Sequence, residues 1–166
     1  MRLLLQRVSR ARVDIAGQTV GQVGLGLLVL AGFGGSDGPE LPGTRTWRTL
    51  CEKVLDLRVF PDSEERLNLS LRDSAQAGQD AGLLLVSQFT LYADSRRGRR
   101  PSFSAAAPPE LARGLYDALV AEFVASCATA GLRFAMGRFG ADMDLTFTNW
   151  GPVTILLDSR DFEPGV

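Results

Sequence analysis

Histidine is absent from all 166 residues. That absence excludes Ser-His-Asp and Cys-His nucleophile systems, histidine-ligated zinc and imidazole acid–base chemistry together. Any catalysis is left to carboxylates, hydroxyls, backbone amides or a group on the substrate. Cysteine is scarce as well. Cys51 and Cys127 stand apart, each within a helix-like pattern, with neither metal-binding spacing nor a disulfide framework. Both read as small core residues. No apolar run reaches the roughly 18 residues of a membrane-spanning helix. The stretch MRLLLQRVSRARVDI is interrupted by arginines and no small-residue cleavage site follows it. It therefore reads as a strand and not a signal peptide, and the expected location is cytoplasmic.

Hydrophobic residues make up 45% of the chain and charged residues 22%, the balance of a globular domain with enough mass for a core. The net charge of −1 argues neither for nor against a nucleic-acid partner, but its distribution is uneven. Nearly all the basic residues are arginine, the side chain suited to bidentate phosphate contacts. Arg96, Arg97, Arg99 and Arg100 cluster in SRRGRRPSF, and Arg2, Arg7, Arg10 and Arg12 crowd the N-terminal segment. Charge alone allows a solvated, salt-bridged loop equally well.

Residues 2–8 read as a strand. Residues 13–33 read as a hairpin turning near Gly17, then a buried strand from Leu27 to Phe33. A helix is expected to begin near Thr44 or Thr46, with Trp47, Leu50, Cys51, Val54 and Leu55 as its apolar stripe. LRVF (57–60) suggests a short strand, DSAQAGQDAG (73–82) a loop, and GLLLVSQFTLYA (82–93) the clearest strand. Pro108-Pro109-Glu110 opens a longer helix running up to Gly131, and strands at 132–139, 144–149 and 152–157 follow. No repeat or linker interrupts this order. The expectation is a single α/β domain over 1–157, a layered mixed β-sheet with two main helices packed on one side, and a loosely ordered tail over 158–166.

Three polar features stand against the apolar pattern. VSQFTLYAD (86–94) carries Ser87, Gln88 and Thr90 around Phe89 at a strand end, where functional groups are often displayed, although a half-exposed strand has the same look. A regular strand sends Ser87 and Thr90 to opposite faces, so a shared site requires a bend or bulge. The arginine-glycine loop with Phe103 suits a nucleotide end or a phosphate. Asn149-Trp150-Gly151-Pro152 places a glycine and a proline between two strand-like halves, most simply as a turn.

Taken together, QRV (6–8), SQFTL (87–91), RGRRPSF (97–103), GRFGADM (137–143) and NWGPVT (149–154) resemble the D-aminoacyl-tRNA deacylase family in order and spacing. The match runs from residue 1 to about 157, leaving out the loop after Phe33 and the tail. The resemblance implies a hydrolase that cleaves the ester between a D-amino acid and the 3′ end of tRNA. Glycine mischarged on a non-cognate tRNA is a further implied substrate. It also implies a homodimer with sites at its interface, tRNA as partner, no DNA or membrane partner, no cofactor and no metal. A cis Gly151–Pro152 peptide of one protomer would face Ser87, Gln88, Phe89 and Thr90 of the other. Its carbonyls would capture the α-amino group and exclude an L side chain. Arg7 would orient the Gly-Pro segment, to which Asn149 belongs, and Phe139, Met143 and the backbone near Ala107 would hold the terminal adenosine.

Those implications agree with the missing histidine, because Ser87 or Thr90 without a base is a poor nucleophile. Positioning, backbone N–H groups near Phe89 and Thr90, and the 2′-hydroxyl of the tRNA ribose can hydrolyse an already reactive ester. Trp150 departs from the small or acidic residue common at its position. It is expected to pack at the dimer interface, with stacking on the substrate end as the alternative. Two rival readings remain. One is an L-alanine-specific relative with a trans Gly-Pro, and the other is a non-catalytic RNA-binding module.

Overall fold

In the computed structural model, residues 1–162 are described. The chain opens on β1 (Arg2–Ile15), a single strand of 14 residues where the sequence suggests two shorter ones. Alternation of apolar residues runs along each half of it. However, the buried face changes midway, from Leu3 and Leu5 to Val8, Ala11 and Val13, which breaks the simple period-2 signal. A tight turn at Ala16 and Gly17, both at positive φ, leads into β2 (Gln18–Val23), and β3 (Gly26–Gly32) follows.

Helix α1 (Arg45–Asp56) is capped by Thr44, whose hydroxyl accepts from the Trp47 amide at 3.2 Å. All five residues of its expected stripe are buried. The expected strand at 57–60 shrinks to β4 (Phe60–Pro61), paired with β5 (Leu67–Leu69). The segment expected as a loop over 73–82 begins instead inside a helix, α2 (Leu71–Gln76). A capping box forms it. Ser70 Oγ accepts from the Asp73 amide, and the Asp73 carboxylate accepts from the Ser70 amide at 2.8 Å. Glycine and small residues mask this short helix in the sequence.

Strand β6 (Gly82–Ser87) is buried almost throughout, and the chain then turns through a 3-10 helix (Phe89–Tyr92). Helix α3 (Pro109–Ala130) has proline in its first turn and Gly131 beyond its end, as expected. Strands β7 (Arg133–Met136) and β8 (Asp144–Asp158) complete the sheet, and Ser159–Phe162 form a closing 3-10 turn. Residues 163–166 of the expected tail lie outside the described residues.

The main sheet is mixed, in the order β2-β1-β3-β6-β7, with β8 on the remaining side of β1. β3, β6 and β7 run parallel and the other neighbours antiparallel. The larger core joins Leu3, Leu5, Val29 and Leu85 of the sheet to residues of all three helices, among them Trp47, Leu71, Leu119 and Phe123. Truncating a side chain such as Phe123, which is fully buried, to alanine costs about 3–5 kcal/mol. A smaller core joins Val8, Val13, Leu28, Leu84 and Val86, where the nearly closed sheet packs on itself. Both cores hold β6 rigid, and its end is where the site begins.

Candidate active site

The end of β6 is fixed by backbone bonds. Ser87 pairs with Ala31 of β3, and the Gln88 amide donates to the Ala31 carbonyl at 2.7 Å. Immediately after, the 3-10 turn bends the chain, so the strand does not run to residue 93. This bend brings Gln88 and Thr90 together: Gln88 Nε2 donates to Thr90 Oγ1. Among the described residues, the turn's first amides, those of Phe89 and Thr90, have no partner within it and take no part in the surrounding loop hydrogen bonds. They are donors held in place and available.

Ser87, Gln88 and Phe89 form one wall of a cavity of about 730 Å³. Ala107, Phe139 and Met143 line the same cavity, so six of the expected site residues converge there. Each is positioned by a separate contact. The Ala107 amide donates to Phe33 O at 2.9 Å. Phe139 lies between Tyr116, at 5.7 Å between ring centroids, and the Arg113 guanidinium, 4.8 Å from its ring. Tyr116 is anchored in turn by its hydroxyl, which donates to Leu85 O at 3.1 Å. Met143 Sδ packs so closely on Gly137 that a Cβ there would lie 2.7 Å from the sulfur. Phe103 and Asp142 also line the cavity. Phe103 belongs to the arginine-loop motif, whose sequence suits a nucleotide end or a phosphate, whereas Asp142 carries no signal of its own.

Thr90 is exposed and lies beside the cavity lining, joined to it through Gln88. Arg7, Asn149, Gly151 and Pro152 line a different place. Asn149, Gly151 and Pro152 belong to a bulge in β8, with Arg7 of β1 opposite it. Asn149 pairs with Val8 and Thr154 with Gln6, so residues 150–153 stand opposite Arg7 alone. The Gly-Pro step is therefore part of a continuous strand and not a turn between two strands. Proline is tolerated because β8 pairs only with β1 and the bulge needs no ladder donor.

Asn149 closes the neck of this bulge. Its Nδ2 donates to Thr154 Oγ1 at 2.9 Å, and its Oδ1 accepts from the Val153 amide at 3.0 Å. Arg7 fills the space beneath, only 6% exposed. Its Nε donates to Trp150 O at 2.9 Å and its Nη1 to Val59 O. Its guanidinium carbon lies 4.3 Å from the centroid of the Trp150 ring. Arg7 forms no ion pair among the described residues. Burial pushes its pKa below the usual arginine value, and two carbonyls and an indole face stand where a carboxylate would. Trp150 thus has a partner inside its own subunit, which the sequence did not show. The Val59 carbonyl, a backbone group, could not be found from side-chain patterns.

Gly151 has φ +123, and its peptide bond to Pro152 is cis. A Cβ at Gly151 would run into Arg7 Nη2, so only glycine fits between the bulge and the guanidinium. The cysteines take no part. Burial raises the Cys51 thiol to about 12 and the Cys127 thiol to about 11, leaving both protonated.

The fold and cavity together define a class: a mixed-sheet α/β protein with an aromatic-walled pocket whose polar end carries a hydroxyl, an amide side chain and free backbone donors. The D-Tyr-tRNA(Tyr) deacylase family matches residues 4–158. A D-aminoacyl-tRNA deacylase of Solidesulfovibrio magneticus is 56% identical over 161 residues, covering 97% of each chain. One from Nitratidesulfovibrio vulgaris is 51% identical, covering 99% of this chain and 96% of its own. Among solved structures, the c-Myc DNA Unwinding Element Binding Protein superposes with a TM-score of 0.78 at 32% identity, covering 95% of this chain and 98% of its own. The chain belongs to the D-aminoacyl-tRNA deacylase family and is a hydrolase. No described helix is long and apolar enough to cross a membrane.

Proposed function

We propose that the chain hydrolyses the ester of D-aminoacyl-tRNA, and of glycyl-tRNA on a non-cognate tRNA, at two composite sites of a homodimer in the cytoplasm. In each site the Gly151–Pro152 bulge of one protomer enters the cavity of its partner. One observation carries this reading: the expected site residues fall into two groups within a subunit. Ser87, Gln88, Phe89, Ala107, Phe139 and Met143 share the cavity, whereas Gly151 and Pro152 sit on the bulge of an edge strand. The bulge projects with Trp150, Gly151 and Pro152 exposed, and Phe147 and Leu156 add exposed apolar area along the same strand. A second copy meets both needs, since it covers the strand and completes the cavity.

The Gly151 and Pro152 carbonyls, which pair with no residue of β1, receive the substrate's α-amino group. That fixed direction turns an L side chain into the wall. The terminal adenosine lies against Phe139, Met143 and the Ala107 backbone. As water adds to the ester carbonyl, the developing oxyanion accepts from the Phe89 and Thr90 amides. The ribose 3′-oxygen then leaves with a proton, giving free amino acid and tRNA. The neighbouring 2′-hydroxyl orients the water, and Ser87 and Thr90 position the ester without becoming acylated. Arg7 on the Trp150 carbonyl favours this D-specific reading over an L-alanine-specific one.

The decisive experiment incubates the protein with D-Tyr-tRNA and L-Tyr-tRNA. Loss of the D ester alone is expected, and loss of both or neither overturns the reading. A D-Tyr ester on a 2′-deoxy tRNA end tests the RNA-assisted step separately, because an undiminished rate there removes the 2′-hydroxyl from the mechanism.

A further inference from the structure

Besides Phe139, the cavity is lined by two further aromatic rings, Phe89 and Phe103. Phe89 is 56% exposed and Phe103 39% exposed, yet the two rings meet edge to face with centroids 4.9 Å apart. Both line the cavity. Phe103 also ends the arginine loop. An isolated antiparallel bridge joins Asp94 to Ser102 through bonds of 2.7 and 2.8 Å, closing residues 95–101 into a tight loop beside the cavity. Of its four arginines, Arg96 is held by Asp94 at 2.7 Å. Arg97, Arg99 and Arg100 are exposed and form no ion pair among the described residues. The loop that carries these three guanidinium groups thus closes at Ser102, one residue before the exposed Phe103 ring. Arginines that follow a backbone beside rings that stack bases are what single-stranded nucleic acid is bound by.

We propose that Phe89 and Phe103 form a second nucleotide subsite, which stacks the base before the terminal adenosine, while Arg97, Arg99 and Arg100 hold the phosphates entering it. The occupant is a single-stranded RNA 3′ end, because both charge and ring surface are complementary to it. Stacking tolerates any base, so the subsite supplies affinity for the end of a tRNA without selecting its sequence.

This inference rests on the proposed deacylase function, and the test separates the two. D-Tyr esters of adenosine, of the dinucleotide CpA and of full tRNA are compared as substrates for the wild type, Phe103→Leu and Phe103→Ala. Leucine keeps apolar contact with Phe89, which guards against a folding defect. For the wild type, CpA is expected to have a KM about tenfold below that of adenosine. Both variants should lose that gain in KM with kcat little changed, and because Phe103 lines the same cavity, any loss on the adenosine ester should be smaller than the loss on CpA. Arg99→Gln with Arg100→Gln should flatten the salt dependence on tRNA and leave the adenosine ester untouched. An equal loss on adenosine and CpA overturns the subsite, as does a wild type that gains nothing from the second nucleotide. If the wild type cleaves none of the three esters, the deacylase reading itself fails.

Discussion

Replacing Trp150 should reveal what this residue, set in front of the Gly-Pro pair, contributes. The indole caps a guanidinium that is only 6% exposed, at 4.3 Å from the ring centroid, while Trp150 itself is 37% exposed. Cation–π pairs range from about 0.5–1 kcal/mol at exposed sites to about 2 when desolvated. A half-covered ring over a buried cation falls near the middle, at about 1 kcal/mol. Trp150→Phe keeps a weaker π face, whereas Trp150→Leu keeps apolar contact but has none. Urea unfolding at a fixed protein concentration should rank them Trp, Phe, Leu, with leucine about 1 kcal/mol below tryptophan. Equal stability of the phenylalanine and leucine variants would refute the cation–π account and leave only packing.

Activity should respond less than stability, and the reason is physical. Arg7 keeps two carbonyl contacts in either variant. Losing about 1 kcal/mol shifts the equilibrium between a positioned and a displaced bulge by about fivefold at most. If the positioned state already dominates, turnover of D-Tyr-tRNA falls by less than that. A loss of hundredfold or more in kcat/KM with stability unchanged would mean that the indole touches substrate or partner directly. That outcome would contradict a role inside its own subunit.

Gly151→Ala should be the harsher change. Alanine at φ +123 is strained, and its Cβ would strike Arg7, so unfolding should become easier by about 1–3 kcal/mol and discrimination between D- and L-Tyr-tRNA should narrow. Wild-type stability and selectivity in this variant would show that the bulge does not depend on glycine. Asp158 supplies a pH test. It accepts from Arg160 and Arg2, whose hydrogen bonds, Arg160 first, hold its carboxyl well below the usual range against the opposing effect of burial. Because the folded pKa is depressed, its stabilisation is complete above about pH 4 and is lost as pH falls through the folded value. Urea unfolding from about pH 7 to about pH 2 should show Asp158→Asn less stable at neutral pH and less sensitive to acid than the wild type. Parallel pH profiles would remove this carboxylate from the acid response.

The proposed chemistry places its burden on position, and the structure spends its rigidity accordingly. A site without imidazole cannot compensate for a loose nucleophile by activating it more strongly. The cavity wall is built from the end of an almost fully buried strand, and the bulge is tied by Asn149 at its neck and Arg7 at its base. A buried cation with no ion pair among the described residues, as Arg7 is, is ordinarily a liability. Here the same burial prevents Arg7 from moving into water, which keeps the Trp150 carbonyl, and with it the next two residues, in one orientation.

How far the sequence showed this depends on the range of the signal involved. Helices α1 and α3 were legible because their caps and stripes are local: Thr44, the Pro108-Pro109 step and Gly131 each announce a boundary within one turn. The short helix α2 was not, because six residues give too little periodicity and its capping box is followed by small residues and a glycine. The end of β6 misled for a related reason. Gln88, Phe89 and Thr90 look like continued alternation, and only the Gln88 amide bond to Ala31 of a distant strand shows where the ladder stops. The bulge in β8 was least accessible of all. Taken locally, Asn149-Trp150-Gly151-Pro152 is turn chemistry. What makes it a bulge is Arg7, more than 140 residues earlier, which needs Trp150 O, Val59 O and a ring face to be buried at all. The residues could be named from their motifs, but the reason they belong together is a long-range packing requirement, visible only once β1 and β8 are paired.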